Sequence, residues 1–217
     1  MKVSIIICCY NREAYLSRAI RSALSQNFPE NDFEVVVVDD GSTDHSPEIA
    51  ADFGEQIVYL PNRENRGLPA SRNAGVRKAM GRFVVNLDSD DYLHEDLLYV
   101  ESLHLRLNPH WGAVSCDYLY VDEHENHISR VSGVAKPIAC GIMFRKDALI
   151  AAGLYDERMR MCEEEELRAR FIEKFHIGHV ELPLYRYRLH EENMSWNSEE
   201  MQHYRAEWVE KKKNSIA

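Results

Sequence analysis

The sequence predicts an open α/β sheet, mostly parallel and flanked by helices, and three observations lead there. "VSIIICC" (3–9) is a continuous apolar, β-branched run, as in a strand buried on both faces, and "FEVVVVDDGSTD" (33–44) opens with a second buried strand. Between such runs stand segments whose apolar residues recur at helical spacing, so strand and helix alternate through the first half. The runs end in polar residues, and an open parallel sheet gathers its ligands beyond the carboxyl ends of its strands.

The elements follow in order. After the strand at 3–9, "EAYLSRAIRSALSQ" (13–26) places Leu16, Ala19, Ile20, Ala23 and Leu24 on one helical face. "FEVVVVDDGSTD" (33–44) is a second strand running into a turn, and "IVYLPN" (57–62) is a third. "LPASRNAGVRKAM" (68–80) reads as a helix with Gly81 near its end, and "RFVVNLDSDD" (82–91) as the fourth strand. Beyond residue 92 the alternation loosens. A helix is predicted over 95–107, two strands joined by a polar turn over 112–131, and a strand over 138–144. A short helix closed by glycine follows over 146–153, then an acidic helix over 163–175. A strand with an arginine-aromatic end is predicted over 179–190, and a terminal helix over 199–213.

A chain of 217 residues can bury a proper core as one domain. Its formal net charge of −10, with no long basic stripe, argues against a nucleic-acid binder, which must neutralise phosphates. The five cysteines include an adjacent pair, Cys8 and Cys9, and form no C-x-x-C, so reduced thiols in a cytoplasm are expected, not a disulfide framework or zinc site. The apolar start "MKVSIIICCYN" is too short for a membrane span, and no transmembrane segment is expected elsewhere.

Three strand ends carry the candidate site. The first ends in Tyr10 and Asn11, the second in Asp39 and Asp40, the fourth in Asp88, Asp90 and Asp91. Asp-Gly-Ser is also ordinary turn chemistry, and for Asp39 and Asp40 that alternative stands. Packed carboxylates repel and raise one another's pKa, so the "DSDD" run calls for a counter-ion. A hard divalent cation, Mn²⁺ or Mg²⁺, takes one or two carboxylates and completes its shell with phosphate oxygens and water, so a D-x-D run reads as a metal–diphosphate clamp.

The blocks "VSIIICCYNREAYLSRAIRSALSQ", "EVVVVDDGSTD", "NRGLPASRNAGVRKAMGRFVVNLDSDD", "CGIMFRKDALIAAGLYDE" and "EEEELRARF" occur in an order that resembles the family 2 glycosyltransferases. The resemblance covers nearly the whole chain; D-x-D by itself is a weak signal. It implies a GT-A fold with a Rossmann-like nucleotide-sugar-binding half (1–92) and an acceptor-side half (93–217). It further implies an inverting, metal-dependent transfer from a nucleotide-diphosphate sugar, UDP-sugar favoured, to a saccharide or lipid-linked acceptor. Cys8, Tyr10 and Asn11 would line the base pocket, Cys8 standing where the family usually has a small hydroxyl residue. Asp40 would accept from uracil N3–H, supported by Asp39, while Arg72 and Asn73 would lie near the ribose and diphosphate. Asp88 would face the ribose and Asp90 hold the metal, with Asp91 a second metal candidate because "DSDD" leaves the register open. The general base falls on Glu164, where the family usually has aspartate, with Glu163 or Glu165 as alternatives. In "YRYRLH", Arg186 and Arg188 are candidates to meet diphosphate oxygens, and His190 to complete the metal shell.

His124 and His127, at metal-like spacing, read as surface residues of a hairpin turn. Trp208 beside Lys211, Lys212 and Lys213 would allow peripheral contact with an anionic membrane, against the simpler reading of a solvated helix. A sugar nucleotidyltransferase would need a glycine-rich basic loop after the first strand, and a dinucleotide-dependent dehydrogenase would need G-x-G-x-x-G there; "CCYNRE" is neither. The remaining alternative is a degenerate domain that binds nucleotide without turnover.

Overall fold

The computed structural model describes residues 2–190, and the predicted terminal helix (199–213) with Trp208 lies outside them. Strand β1 (Val3–Cys9), helix α1 (Leu16–Leu24), β2 (Phe33–Asp39), α2 (Ser46–Ala51), β3 (Val58–Pro61), α3 (Leu68–Lys78) and β4 (Phe83–Asp88) build the first half. The chain continues through β5 (Tyr92–Leu93), α4 (Leu97–Leu107), β6 (Trp111–Val121), β7 (His127–Val131) and β8 (Ile142–Arg145). Helices α5 (Lys146–Ala151) and α6 (Glu163–Ile172) and strand β9 (His176–Arg188) complete it.

One mixed sheet takes the order β3-β2-β1-β4-β8-β6-β9-β5, with β7 paired to β6. Pairing is parallel across β3-β2-β1-β4 and between β6 and β9, and antiparallel elsewhere. The unbroken apolar runs have a direct cause. Ile5, Ile7, Val35, Val37, Val85 and Leu87 point to the face covered by α1 and α4. Ile6, Val36, Val38 and Val84 point to the face covered by α3, α5 and α6. With both faces dry, these strands are apolar inside except at Ser4, Glu34 and Asn86, where Ser4 donates to Glu34 and Asn86 to Tyr155, and each buried apolar side chain contributes about 1.5–3 kcal/mol.

Parallel register sets the strand ends level. Cys9 lies beside Asp39, and Cys8 beside Asp88, so the polar residues that follow β1, β2 and β4 emerge at one edge. Helix α3 seats close on β1 and β2 through Gly75, where an added Cβ would stand 2.4 Å from Ile6 Cγ2 and 3.3 Å from Val38 Cγ2. Gly75→Ala regains about 1 kcal/mol of helix propensity but overpacks a stiff β-branched neighbour at about 1–3 kcal/mol. The expected result is a lower urea midpoint with an unchanged m-value; a raised midpoint would show that α3 can lift without loss.

Some elements depart from the sequence reading. Helix α2 has no predicted counterpart, because six residues with Pro47 in the first turn carry too little periodicity. Strand β5 is two residues long and exists through its pairing with Arg186 and Tyr185 of β9. The strand predicted over 138–144 forms only from Ile142, since Gly141 turns the chain at φ +67°.

Candidate active site

The level strand ends open on a cavity of about 790 Å³. Of the residues singled out in the sequence, Cys8, Tyr10, Asp40, Asp88, Asp90 and Asp91 line it. Asn11, Asp39, Arg72, Glu163, Glu164 and His190 are not in its lining.

The first wall is built on Asp40. Its Oδ1 accepts from Asn62 Nδ2 at 2.8 Å and Arg66 N at 3.0 Å, and its Oδ2 from Gly67 N at 2.8 Å. The carboxylate thus ties the loop entering α3 to the end of β2, and Oδ2 keeps capacity for one more donor from the cavity. Asp39 is a brace: Oδ1 accepts from Ser42 N at 2.9 Å and Oδ2 from Tyr59 OH at 2.7 Å. Gly41 between these contacts has φ +77°, and a Cβ there would stand 2.8 Å from the backbone of Glu64. Asn11, also at positive φ, accepts from Thr43 N at 2.8 Å and so joins the turns after β1 and β2 instead of lining a base pocket. Burial pushes the Cys8 thiol well up, so this residue packs as a neutral wall.

The second wall answers the charge problem of "DSDD". Asp88 Oδ1 accepts from Arg72 Nη2 at 3.0 Å. Asp90 lies 3.0 Å from His190 Nε2 and 3.6 Å from Arg12 Nε. Burial alone would raise the Asp90 pKa; the His190 hydrogen bond and the Arg12 charge outweigh it and hold the group below its usual value. Asp91, the second metal candidate, turns into the protein instead. Its Oδ2 accepts from Tyr185 OH at 2.6 Å and its Oδ1 from Arg188 N at 2.8 Å. Burial, with Asp90 and Asp88 close by, pushes its pKa up, and both of its oxygens are already held by protein donors.

Among the described residues no three His, Cys, Asp or Glu side chains gather closely enough to hold a metal ion by themselves. Asp90 with His190 Nε2 3.0 Å away forms a partial donor pair, and Asp88 lines the same cavity. That chemistry fits Mn²⁺ or Mg²⁺ arriving with a diphosphate that completes the shell.

The acidic helix start divides into two roles. Cys162, in the left-handed region at φ 61°, precedes α6 and turns the chain into it; the glutamates of its first turn suit the positive end of the helix. Glu163 is buried and accepts from Arg72 Nη1 at 2.6 Å. Arg72, itself 2% exposed, therefore bridges Asp88 on β4 and Glu163 on α6. Glu163, offered as an alternative base, is thereby engaged in a buried ion pair. Glu164 is not so engaged; burial, then the Glu163 charge, raises its pKa to about 7.

Other contributors carried no readable signal. Arg12 lies in an ordinary polar turn, and only the fold brings it to Asp90. Asn73, expected near the ribose and diphosphate, holds the 155–157 segment: its Nδ2 donates to Tyr155 O and Glu157 Oε1, both at 2.9 Å. That segment continues into Arg158 and Arg160, which also line the cavity. Arg188 donates to Asp90 O at 3.0 Å and Glu125 Oε1 at 3.2 Å, supporting the D-x-D loop from behind. His124 and His127 are exposed, and β6 and β7 pair across the turn that holds them.

A sheet of this order, with one acidic cavity at its strand ends, defines the GT-A class of α/β fold. The Glycosyl transferase family 2 model matches residues 4–193, and the chain belongs to that family. It is 40% identical over 109 residues to "Glycosyltransferase GlyA" of Streptococcus pneumoniae, which covers 49% of this chain and 15% of that protein. It is 39% identical over 101 residues to "Poly(ribitol-phosphate) beta-N-acetylglucosaminyltransferase TarS" of Staphylococcus aureus, which covers 45% and 18%. Among solved structures, TarS 1–349 in complex with UDP-GlcNAc superposes with TM-score 0.79 at 23% identity, covering 94% of this chain and 64% of that one. Mannosyltransferase PcManGT from Pyrobaculum calidifontis, in complex with GDP-Man and Mn²⁺, gives TM-score 0.76 at 20% identity, covering 96% and 64%. The chain thus spans less than two thirds of each of these proteins. Among the described residues no helix is long and apolar enough to cross a membrane.

Proposed function

We propose that this chain moves a sugar from a nucleotide-diphosphate sugar, a UDP-sugar in the favoured case, to a saccharide or lipid-linked acceptor, with inversion at the anomeric carbon. The observation that carries this reading is the convergence of Asp40, Asp88 and Asp90 on one cavity of about 790 Å³. Two fold neighbours support it: TarS 1–349 was solved in complex with UDP-GlcNAc, and PcManGT with GDP-Man and Mn²⁺. Residues 1–92 serve the donor and residues 93–217 the acceptor, as parts of one domain. The odd cysteine count with an adjacent pair supports a cytoplasmic location, and contact with the inner membrane face would fall to Trp208 and its lysines, outside the described residues.

In the mechanism, Asp40 orients the base through its spare acceptor capacity, and Cys8 and Tyr10 pack beside it. Glu164 takes the proton from an acceptor hydroxyl, which attacks the anomeric carbon as the diphosphate departs on the opposite side. Arg72 keeps Asp88 and Glu163 in place behind the reacting groups. Asp90, with His190 beside it, would hold Mn²⁺ or Mg²⁺, which when bound would supply charge stabilisation to the departing diphosphate.

The direct test is calorimetric titration of UDP, GDP and ADP with and without Mn²⁺. Tight, Mn²⁺-dependent and UDP-selective binding is expected, and Asp90→Asn should weaken the Mn²⁺-dependent part by about tenfold or more. Selectivity for GDP would overturn the uridine assignment, and no nucleotide binding by folded protein would overturn the transferase reading.

A further inference from the structure

A second cavity, of about 300 Å³, lies against the edge strand β5 and shares no lining residue with the first. Arg18 and Arg21 of α1 and Arg186 of β9 line it, with the Ser25 hydroxyl and His94. Glu95 is its one carboxylate among the described residues and is exposed. Three guanidinium groups around one small cavity run against the chain's formal charge of −10.

The three arginines are not equally engaged. Arg18 donates through Nε and Nη2 to Glu125, at 2.8 and 3.1 Å, and lies 4.0 Å over the Tyr92 ring. Arg186 is half-buried, and its Nη1 donates only to backbone carbonyls, Pro183 O at 2.5 Å and Tyr185 O at 3.4 Å. Burial lowers its pKa, and among the described residues no carboxylate offsets this. The side chain of Arg21, in the last turn of α1, makes no hydrogen bond or ion pair to a described residue, and its charge already complements that helix end. Two forks with unused donors, plus a hydroxyl, match the tetrahedral oxygens of a phosphate group better than a single flat acceptor.

We propose that this second cavity is a phosphate-binding subsite that takes a phosphate mono- or diester, with Arg21 and Arg186 as its direct donors. Its position ties it to the first site. Glu125, which holds Arg18, also accepts from Arg188 Nη2 at 3.2 Å, and Arg188 Nε holds Asp90 O. An anionic group seated here is one bridging carboxylate, Glu125, away from the D-x-D loop.

The test follows the arginine Nε–Hε resonances of the full chain during titration with inorganic phosphate, then glycerol 3-phosphate. Saturable shifts at Arg21 and Arg186 in the millimolar range or tighter are expected, and Arg21→Ala should weaken them at Arg186 about tenfold without changing the urea midpoint. Arg186→Gln, if folded, should do the same. Shifts confined to Arg12 and Arg66 of the first cavity, or no saturation at Arg21 and Arg186, overturn the proposal whether or not UDP binds. Sedimentation with phosphatidylglycerol vesicles, compared with phosphatidylcholine, identifies the source. Capture that Arg21→Ala abolishes assigns a lipid headgroup, whereas saturable glycerol 3-phosphate shifts without capture assign a soluble ester.

Discussion

Glu164→Gln is expected to lower turnover by about 10²-fold or more while UDP still binds, because the amide keeps the shape and loses the proton acceptor. The activity of the unaltered chain should rise with pH around a midpoint near 7, since the base works only when ionised and burial beside Glu163 raises its pKa to about 7. Stability runs the other way. Between the ordinary value of 4.5 and about 7, the folded chain keeps a proton that the unfolded chain has lost, so unfolding free energy falls as pH rises through that window. Glu164→Gln should flatten that slope. Full turnover in the variant, or an unmoved pH midpoint, would take the base role from this residue. Glu164→Asp, restoring the usual family residue, should keep much of the activity if one methylene of reach is tolerated.

Arg72→Met is expected to cost about 3–5 kcal/mol of stability, the scale for removing one partner of a buried ion pair. Arg72 is 2% exposed and the side chain of Glu163 only 7%, so the substitution strands a carboxylate in a dry interior; Asp88, at 33%, can recover water. The loss should appear as a melting temperature lower by about 2–4 °C per kcal/mol. Arg72→Met with Glu163→Gln should recover part of it, because the stranded charge is gone. Arg72 also lowers the Glu164 pKa, so the activity midpoint of a folded Arg72 variant should move above that of the unaltered chain. A single substitution that leaves both melting and midpoint unchanged would show that the bridge from β4 to α6 carries no weight.

These two residues show where the sequence was legible. The strands β1, β2 and β4 could be read at once, because burial on both faces makes nearly every position inside them apolar. The placement of Asp40 and Asp90 at a shared edge followed from the parallel order. Arg12 could not be read, since its meeting with Asp90 joins the first turn to a loop that only the fold brings near. Nor could the separate fate of Arg186, whose neighbour in space is Tyr92 of a strand two residues long.

By itself the sequence determined the parallel sheet, the edge on which the acids gather and the family to which the blocks belong. Hydrophobic period and strand ends are local properties, written residue by residue. Only the tertiary structure decided which acid meets which partner. Asp91 and Asp90 are chemically identical neighbours, yet one meets Tyr185 and the Arg188 amide while the other meets His190 and Arg12. Glu163 and Glu164 are equally alike, and Arg72 engages one and leaves the other to be raised toward neutrality. A carboxylate's charge and role depend on burial and on partners far along the chain, and those exist only once the chain has folded.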